Sequence, residues 1–388
     1  MQKRIVLVMN EDHRIFYSGV TRFVMEIAPR LAKRYEVTLV STRSENGMRR
    51  ENLSEGVSVV QFPMYRLPFP NTYIPRFGGD LVPLLNRSDL VFIQTFDLLE
   101  PLIRARRLKK PVLFYFHALD WEMLPRAWGL KKTRPLAASP LAASLIRKFW
   151  AWCASRVSHV CLPSPSYARY LAESNVKTPC SWIPPGIDTD RFCPAGDKDA
   201  AKTLIGISPE NFVIGFVGRL WPDKNLDLLL DLFARLHEHK TETRLLIVGK
   251  GFKRLEQRAA GQPGVVWVGP QNDVAPYYQA MDLFCHFVGP NETSSFVTME
   301  AMACSVPVIV NAEALPRDYV ENGVDGFVID PPNNLSQAEN RILKLLEDAT
   351  LRERMGARGR EKMVKSFRWD ETVNRLGDLI EHYTEVSS

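Results

Sequence analysis

The sequence predicts an α/β protein made of two parallel-sheet domains, each covered by helices, facing a central cleft. Three observations predict it. Short apolar runs alternate with amphipathic stretches along most of the 388 residues, the pattern of strands buried on both faces by intervening helices. The alternation stops at Ile183-Pro184-Pro185-Gly186, where two prolines and a glycine interrupt regular structure, and restarts after it. Charge divides at nearly the same place. Residues 1–187 carry 27 Lys+Arg against 14 Asp+Glu, a net +13, and residues 188–388 carry 23 against 30, a net −7. Such a split points to two domains with different partners.

Each element follows from a local pattern. Residues 5–9 are an apolar run and read as the first strand. Val20, Phe23, Val24, Ile27 and Leu31 fall on one face at helical spacing and predict a helix over 20–34. Runs at 37–40, 57–60, 90–93 and 112–116 read as further strands, 141–157 as a helix and 160–162 as a strand. Past the proline linker, strands are expected at 213–217, 245–248, 265–268, 283–287, 306–310 and 327–329, with helices between them, the first over 226–238. The tail, 339–383, reads as helical throughout. The expected domains are 1–183 and 184–365.

Composition excludes several classes. A chain that is 45% hydrophobic and 24% charged is neither globally disordered nor a coiled coil or collagen-like fibre. No uncharged apolar run reaches the ~18 to 20 residues that span a bilayer; the best candidate, 135–146, is short and rich in Ala, Ser and Pro. The run 5–9 is too short for a secretory core, and Glu11 and Asp12 follow it at once. The expected address is therefore cytoplasmic. Six cysteines without a CxxC pair make no disulfide scaffold.

Ligands of open α/β sheets bind outside the carboxyl ends of strands, so polar residues just after strands are the candidates. Gly218-Arg219-Leu220-Trp221-Pro222-Asp223-Lys224-Asn225 follows the strand at 213–217. Arg219 and Lys224 beside the N-terminus of the next helix suit a diphosphate, Arg as a two-oxygen fork and Lys as a point charge; the alternative is a solvated loop. Glu292-Thr293-Ser294-Ser295-Phe296-Val297-Thr298-Met299-Glu300 follows the strand at 283–287. Were both glutamates helical they would lie ~12 Å apart along the axis, too far for a hydrolase carboxylate pair. They read instead as two separate ligand contacts, with the amides of Ser295 and Phe296 facing an anion between them. The competing reading is a capping carboxylate and a surface Glu. Ser18-Gly19-Val20 lies between the first strand and helix, where Gly19 allows close approach to an anion and Ser18 equally suits an N-cap. His117 ends the strand at 112–116 and is a candidate on position alone.

Other motifs are weaker. Asp188-Thr189-Asp190 is a DxD that follows the linker rather than a strand end, so no metal site is expected there. Gly249-Lys250-Gly251 lacks the third glycine of a dinucleotide fingerprint, and no P-loop or GxSxG elbow exists. His237-Glu238-His239 has no zinc spacing, and Cys285-His286 reads as core.

These residues resemble the retaining glycosyltransferase family four, which has the GT-B fold of two Rossmann-like domains. The resemblance is carried by 215–226, by Leu246-Ile247-Val248-Gly249, by Glu292 through Glu300 (the family's EX7E motif), by Val306-Pro307-Val308 and by Asn322-Gly323-Val324-Asp325-Gly326-Phe327. In the first half it rests on Ser18-Gly19-Val20, His117 and Pro185-Gly186-Ile187-Asp188. The resemblance implies that Arg219 and Lys224 neutralise a donor diphosphate in place of a metal. It implies that Glu300 holds the ribose hydroxyls, Glu292 and His117 contact the donor sugar, the amides of Ser295 and Phe296 reach the distal phosphate and sugar, and Gly19 approaches the phosphate. It implies that the last helix, within 366–388, packs back on the first domain. Two departures are visible: the Gly-rich run after the first Glu is Thr293-Ser294-Ser295, and the usual double glycine is a single Gly19.

The expected function is transfer, with retention and without metal or cofactor, of a hexose-type sugar from a nucleotide-diphosphate sugar to an acceptor hydroxyl, in cell-envelope or lipid-linked glycan synthesis. A sugar-nucleotide 2-epimerase of the same fold and a non-catalytic nucleotide-sugar binder are the alternatives. The basic half carries Arg104, Arg106, Arg107, Lys109, Lys110, Lys131, Lys132 and Arg134, then Arg147 and Lys148 beside Phe149, Trp150 and Trp152. Cations next to aromatic rings suit a membrane interface, and no nucleic-acid motif accompanies them. The expected partners are a nucleotide-sugar donor, a glycan or lipid-linked, anionic acceptor, and the inner membrane surface.

Overall fold

A computed structural model describes residues 2–14, 18–43, 48–54, 56–66, 73–95, 99–117, 140–288, 296–312 and 315–386. The chain forms two compact units, Met1–Pro185 with Trp369–Ser388, and Gly186–Arg368.

The first unit contains β1 (Arg4–Val8), α1 (Gly19–Leu31), β2 (Glu36–Arg43), β3 (Arg49–Ser54), β4 (Val57–Arg66), β5 (Tyr73–Pro75), α2 (Leu81–Arg87), β6 (Leu90–Ile93), α3 (Leu99–Arg107), β7 (Val112–Tyr115), α4 (Pro140–Ala154), β8 (His159–Leu162), α5 (Ala168–Glu173) and β9 (Cys180–Trp182). The strand order is β3-β4-β2-β1-β6-β7-β8-β9, with β5 on β4. From β4 through β9 every neighbour pair is parallel. β6, β7 and β8 are buried at every position, as strands sandwiched between helices must be. The expectation of a purely parallel sheet fails at one edge, where β3 and β5 run antiparallel to β4. The sequence Arg-Arg-Glu-Asn-Leu-Ser of β3 is half-exposed or exposed along its length, so no apolar run advertises it. It reaches β4 through Gly56, whose φ of 78° suits a tight turn.

The second unit contains α6 (Lys198–Leu204), β10 (Phe212–Val217), α7 (Leu226–His239), β11 (Thr243–Val248), α8 (Lys253–Gly261), β12 (Val265–Gly269), α9 (Ala275–Gln279), β13 (Leu283–His286), α10 (Phe296–Ala303), β14 (Val308–Asn311), β15 (Gly326–Ile329), α11 (Leu335–Glu347) and α12 (Ala349–Ser366). Its six strands are all parallel in the order β12-β11-β10-β13-β14-β15. Strand order reverses between β10 and β13, the switch point where open sheets bind ligands. Asp282, 4% exposed, locks this unit: it accepts from the Val213 amide at 2.9 Å, from Lys202 at 2.8 Å and from Lys198 at 3.3 Å. β10, β13 and α6 thus meet at one buried carboxylate.

The tail is helical almost throughout, as expected, in three helices with short breaks at Asp348 and at 367–368. Asp348 ends α11 and its side chain caps α12 by accepting from the Leu351 amide. The last helix, α13 (Trp369–Glu385), belongs to the first unit. Trp369 lies 5.9 Å from the Phe23 ring, Tyr35 donates to Glu381 at 2.7 Å, and Lys3 pairs with Glu381. The chain passes between units after Pro185 and after Arg368. Ile187 donates to the Phe367 carbonyl at 2.6 Å, and Thr372 to the Pro184 carbonyl at 2.9 Å, so the two passages run side by side. Among the described residues no helix is long and apolar enough to cross a membrane.

Candidate functional site

In the second unit, the loop leaving β10 is stitched backbone to backbone onto the loop leaving β11. Gly218 donates to the Val248 carbonyl and Leu220 to the Lys250 carbonyl, both at 3.0 Å. Glycine makes this possible. Gly249 has φ 138°, and a Cβ there would lie 1.9 Å from the Gly218 oxygen; one on Gly251 would lie 2.3 Å from the Leu220 oxygen. Gly249-Lys250-Gly251 is therefore a packing device, a role that its spacing in the sequence does not mark.

That scaffold leaves Arg219 exposed, with no side-chain hydrogen bond or ion pair among the described residues. Lys224, half-buried, ends a short 3-10 turn, Pro222–Lys224. Asn225 follows at φ 46° and turns the chain into α7, without a side-chain cap bond. The first turn of α7 holds Asp227, which pairs with Arg254 and, at 2.7 Å, with Arg258. Burial raises the Asp227 pKa, and the hydrogen bonds from Arg258 and Arg254 more than offset that, so the carboxyl is held below its ordinary value. Two cations thus stand at the carboxyl end of β10, and the internal carboxylate of α7 is already matched by other arginines.

Glu300 lies in α10, the helix that precedes β14 and follows β13, the parallel neighbour of β10. It is 2% exposed, and Oε2 accepts from the Tyr278 hydroxyl at 2.8 Å. Nothing in the spacing of Tyr278 marks it in the sequence. Phe296 opens α10 and is buried. His286 is core, as expected, and meets Thr298 Oγ1 at 3.0 Å. Glu292 and Ser295, with Thr293 and Ser294, lie outside the described residues, as do Lys131, Lys132 and Arg134.

In the first unit, His117 follows β7 and Gln94 follows the adjacent strand β6. His117 Nε2 lies 2.9 Å from Gln94 Oε1. A carboxamide oxygen only accepts, so Nε2 carries the proton and Nδ1 the lone pair. Burial pushes the imidazole pKa down to about 3, so the ring is neutral at physiological pH. The Phe23 and Tyr115 rings hold it at centroid distances of 5.2 and 4.5 Å. Gln94 was legible by the same strand-end rule that selected His117.

Gly19 is the first residue of α1 and is exposed. Ser18 caps the helix, accepting from the amides of Val20 and Thr21 at 3.1 and 3.3 Å. Ser18 also donates to Glu11 Oε2 at 2.6 Å, and Thr21 Oγ1 donates to the same oxygen. A carboxylate therefore occupies the α1 N-terminus, where a negative charge is electrostatically favoured.

Among the described residues no group of three His, Cys, Asp or Glu side chains is placed to hold a metal. Asp188 of the DxD sequence accepts from the amides of Asp190 and Arg191 and shapes a turn. The Asn322–Phe327 motif is structural too: the Asp325 carboxylate, 1% exposed, accepts from the Glu321 amide at 2.7 Å and pairs with Lys362.

Two family profiles cover most of the chain: "Glycosyltransferase Family 4" over residues 17–191 and "Glycosyl transferases group 1" over residues 197–362. A GDP-mannose-dependent alpha-mannosyltransferase of Mycolicibacterium smegmatis is 31% identical over 98% of this chain and 97% of its own. A D-inositol 3-phosphate glycosyltransferase of Salinispora tropica is 32% identical over 53% of this chain and 47% of its own; the match thus spans about half the length of that relative. Among solved structures, sucrose-phosphate synthase of Thermosynechococcus elongatus superposes with a TM-score of 0.77 at 19% identity, over 99% of this chain and 100% of its own. With an end-to-end relative, profiles over both halves and the same two-unit architecture, the chain belongs to glycosyltransferase family four and has the GT-B fold.

Proposed function

We infer that this chain is a metal-independent retaining hexosyltransferase, moving a sugar from a nucleotide-diphosphate donor to an acceptor hydroxyl in cell-envelope or lipid-linked glycan synthesis. The observation that carries the reading is Arg219: an exposed guanidinium without a protein partner among the described residues, held at the sheet's switch point by a glycine-stitched loop. Lys224 adds a second cation to the same loop. Together they stabilise the diphosphate as its bond to the sugar breaks. Glu300, steadied by Tyr278, takes the ribose hydroxyls, Phe296 and Ser295 offer amides to the distal phosphate, and Glu292 contacts the sugar. Gly19 and His117 serve from the first unit. A neutral His117 accepts a hydrogen bond at Nδ1 rather than delivering a proton. In the retaining step the acceptor oxygen attacks the anomeric carbon on the face the phosphate leaves, and the acceptor proton passes to the departing phosphate oxygen. The end-to-end relative uses GDP-mannose by name, which makes GDP-mannose the first donor to test. The enzyme works from the membrane surface, where lipid-linked acceptors lie.

The test is turnover with a panel of nucleotide sugars. Arg219→Ala or Lys224→Ala lowers turnover on the order of 10²-fold while the fold survives, as loss of a preorganised charge contact does. Near-normal activity in both variants sinks the assignment. A donor incubated alone that returns as its 2-epimer makes the chain an epimerase instead, and a product of inverted anomeric configuration ends the retaining reading.

A further inference from the structure

We propose that the outer face of α4 is a docking surface for an anionic lipid bilayer. The inference rests on the membrane-surface reading above and assigns it to one element. The inner side of α4 is core: Trp150 is 2% exposed and Cys153 and Ala154 are fully buried, with the Trp150 ring 4.8 Å from Phe116. The outer side leaves Leu145 58%, Phe149 43% and Trp152 40% exposed. Those three stand at i, i+4 and i+7, a single stripe along the helix. The Phe149 and Trp152 rings stack at 6.3 Å with an interplanar angle of 13°. Two large aromatic rings and a leucine facing water in one stripe mark an interaction surface.

The charges around the stripe say which kind. Residues 140–156 contain no Asp or Glu. Lys148 is exposed within the stripe. Arg156 lies 3.8 Å over the Trp152 ring and donates to the Trp152 carbonyl at 2.9 Å. Arg106 of α3 donates to the Arg156 carbonyl at 2.7 Å, which joins the basic end of α3 to the end of α4. Arg147, at the other margin, is matched by Glu173 at 3.2 Å. An apolar aromatic stripe with cationic flanks fits the interface of a bilayer, where rings lie at headgroup depth, alkyl groups reach the acyl boundary and cations meet anionic lipid. A partner protein with an acidic rim is the rival occupant and is resolved by the test.

The test is co-sedimentation with vesicles of phosphatidylcholine alone and of phosphatidylcholine with phosphatidylglycerol, at low and high salt. The variants are Phe149→Ser with Trp152→Ser, and separately Lys148→Glu. None of these residues belongs to the proposed transfer machinery, and all are exposed, so melting temperature and turnover of a short water-soluble acceptor are expected to stay at the parent level. The parent protein binds only the anionic vesicles, and high salt releases it. The double serine variant binds them about tenfold more weakly or less, and Lys148→Glu weakens binding several-fold, since apolar burial and charge act together. Equal binding by parent and double variant overturns the α4 assignment and leaves the membrane-surface reading standing. No binding by the parent protein overturns both. A concentration-dependent dimer in solution that the double variant abolishes gives the face to a second copy instead.

Discussion

At the scale of single residues, burial and one hydrogen bond fix the protonation state of His117. Its Nε2 proton goes to Gln94 Oε1 and its pKa is pushed down to about 3 by burial. The unfolded chain binds a proton near pH 6.5, so below that pH the unfolded state takes up a proton that the folded state refuses. His117's contribution to stability is therefore complete above pH 6.5 and is lost as pH falls toward 3. By pH 5 the loss amounts to about 2 kcal/mol. Denaturant midpoints at pH 7 and pH 5 read this directly: the fall should be larger for the parent protein than for His117→Asn, which does not titrate. An equal fall in both would place the acid sensitivity elsewhere. Activity, for the same reason, should show no limb near pH 6.5 from this imidazole. Gln94→Leu removes the Gln94 acceptor from the buried Nε2 proton, at about 1–3 kcal/mol, and loosens the hold on the tautomer. A positioning role predicts that kcat drops while KM for the donor holds. If the variant loses stability alone and kcat is unchanged, Gln94 is only structural.

Among elements, those legible in the sequence are the ones whose burial is two-sided or strictly periodic. The runs of β1, β6, β7, β10 and β13 are almost wholly apolar because helices cover both sheet faces, and α1 and α7 show their buried stripe every three or four residues. β3 is different: a polar edge strand makes hydrogen bonds without making a hydrophobic pattern. The glycines of the β10 and β11 loops are a second illegible feature, because backbone-on-backbone contact leaves no periodic trace. They are testable as a pair with a control. Gly249→Ala places a Cβ 1.9 Å from the Gly218 oxygen at a φ of 138°, so the loop carrying Arg219 must move. A lowered melting temperature with weakened nucleotide binding is expected. Gly261 ends α8 with open space around its Cβ position. Gly261→Ala should raise stability by about 0.4–1 kcal/mol, chiefly by restricting the unfolded chain. If Gly249→Ala behaves like Gly261→Ala in a thermal melt, the stitched loop is not under the constraint described.

For the molecule as a whole, the division at the proline linker, between Pro185 and Gly186, and the reversal of charge across it are legible in the sequence. The strand-end positions of Arg219 and His117, after β10 and β7, were legible too. Partners from distant sequence, such as Tyr278 for Glu300 or Lys202 for Asp282, have no local signature and needed the fold. Two units with separate cores predict two separable unfolding transitions once one unit is weakened. Asp282→Ala leaves Lys202, 5% exposed, as a buried cation without its carboxylate, and removes an acceptor from the Val213 amide. Breaking such a pair costs about 3–5 kcal/mol. Scanning calorimetry of this variant should show the second unit melting first and the first unit near its parent temperature. The proposed diphosphate contacts of Arg219 and Lys224 lie in the unit that melts first. Saturating GDP should therefore raise that transition selectively, since binding to the folded form stabilises by mass action, about 2.7 kcal/mol at a hundredfold excess over Kd. If the two cations do a metal's electrostatic work, as proposed, the shift survives excess chelator and vanishes in Arg219→Ala with Lys224→Ala. A GDP shift that appears only with added Mg²⁺ or Mn²⁺, or that moves the first unit's transition instead, contradicts the clamp. A single sharp transition in the Asp282→Ala variant would mean that the two units unfold as one.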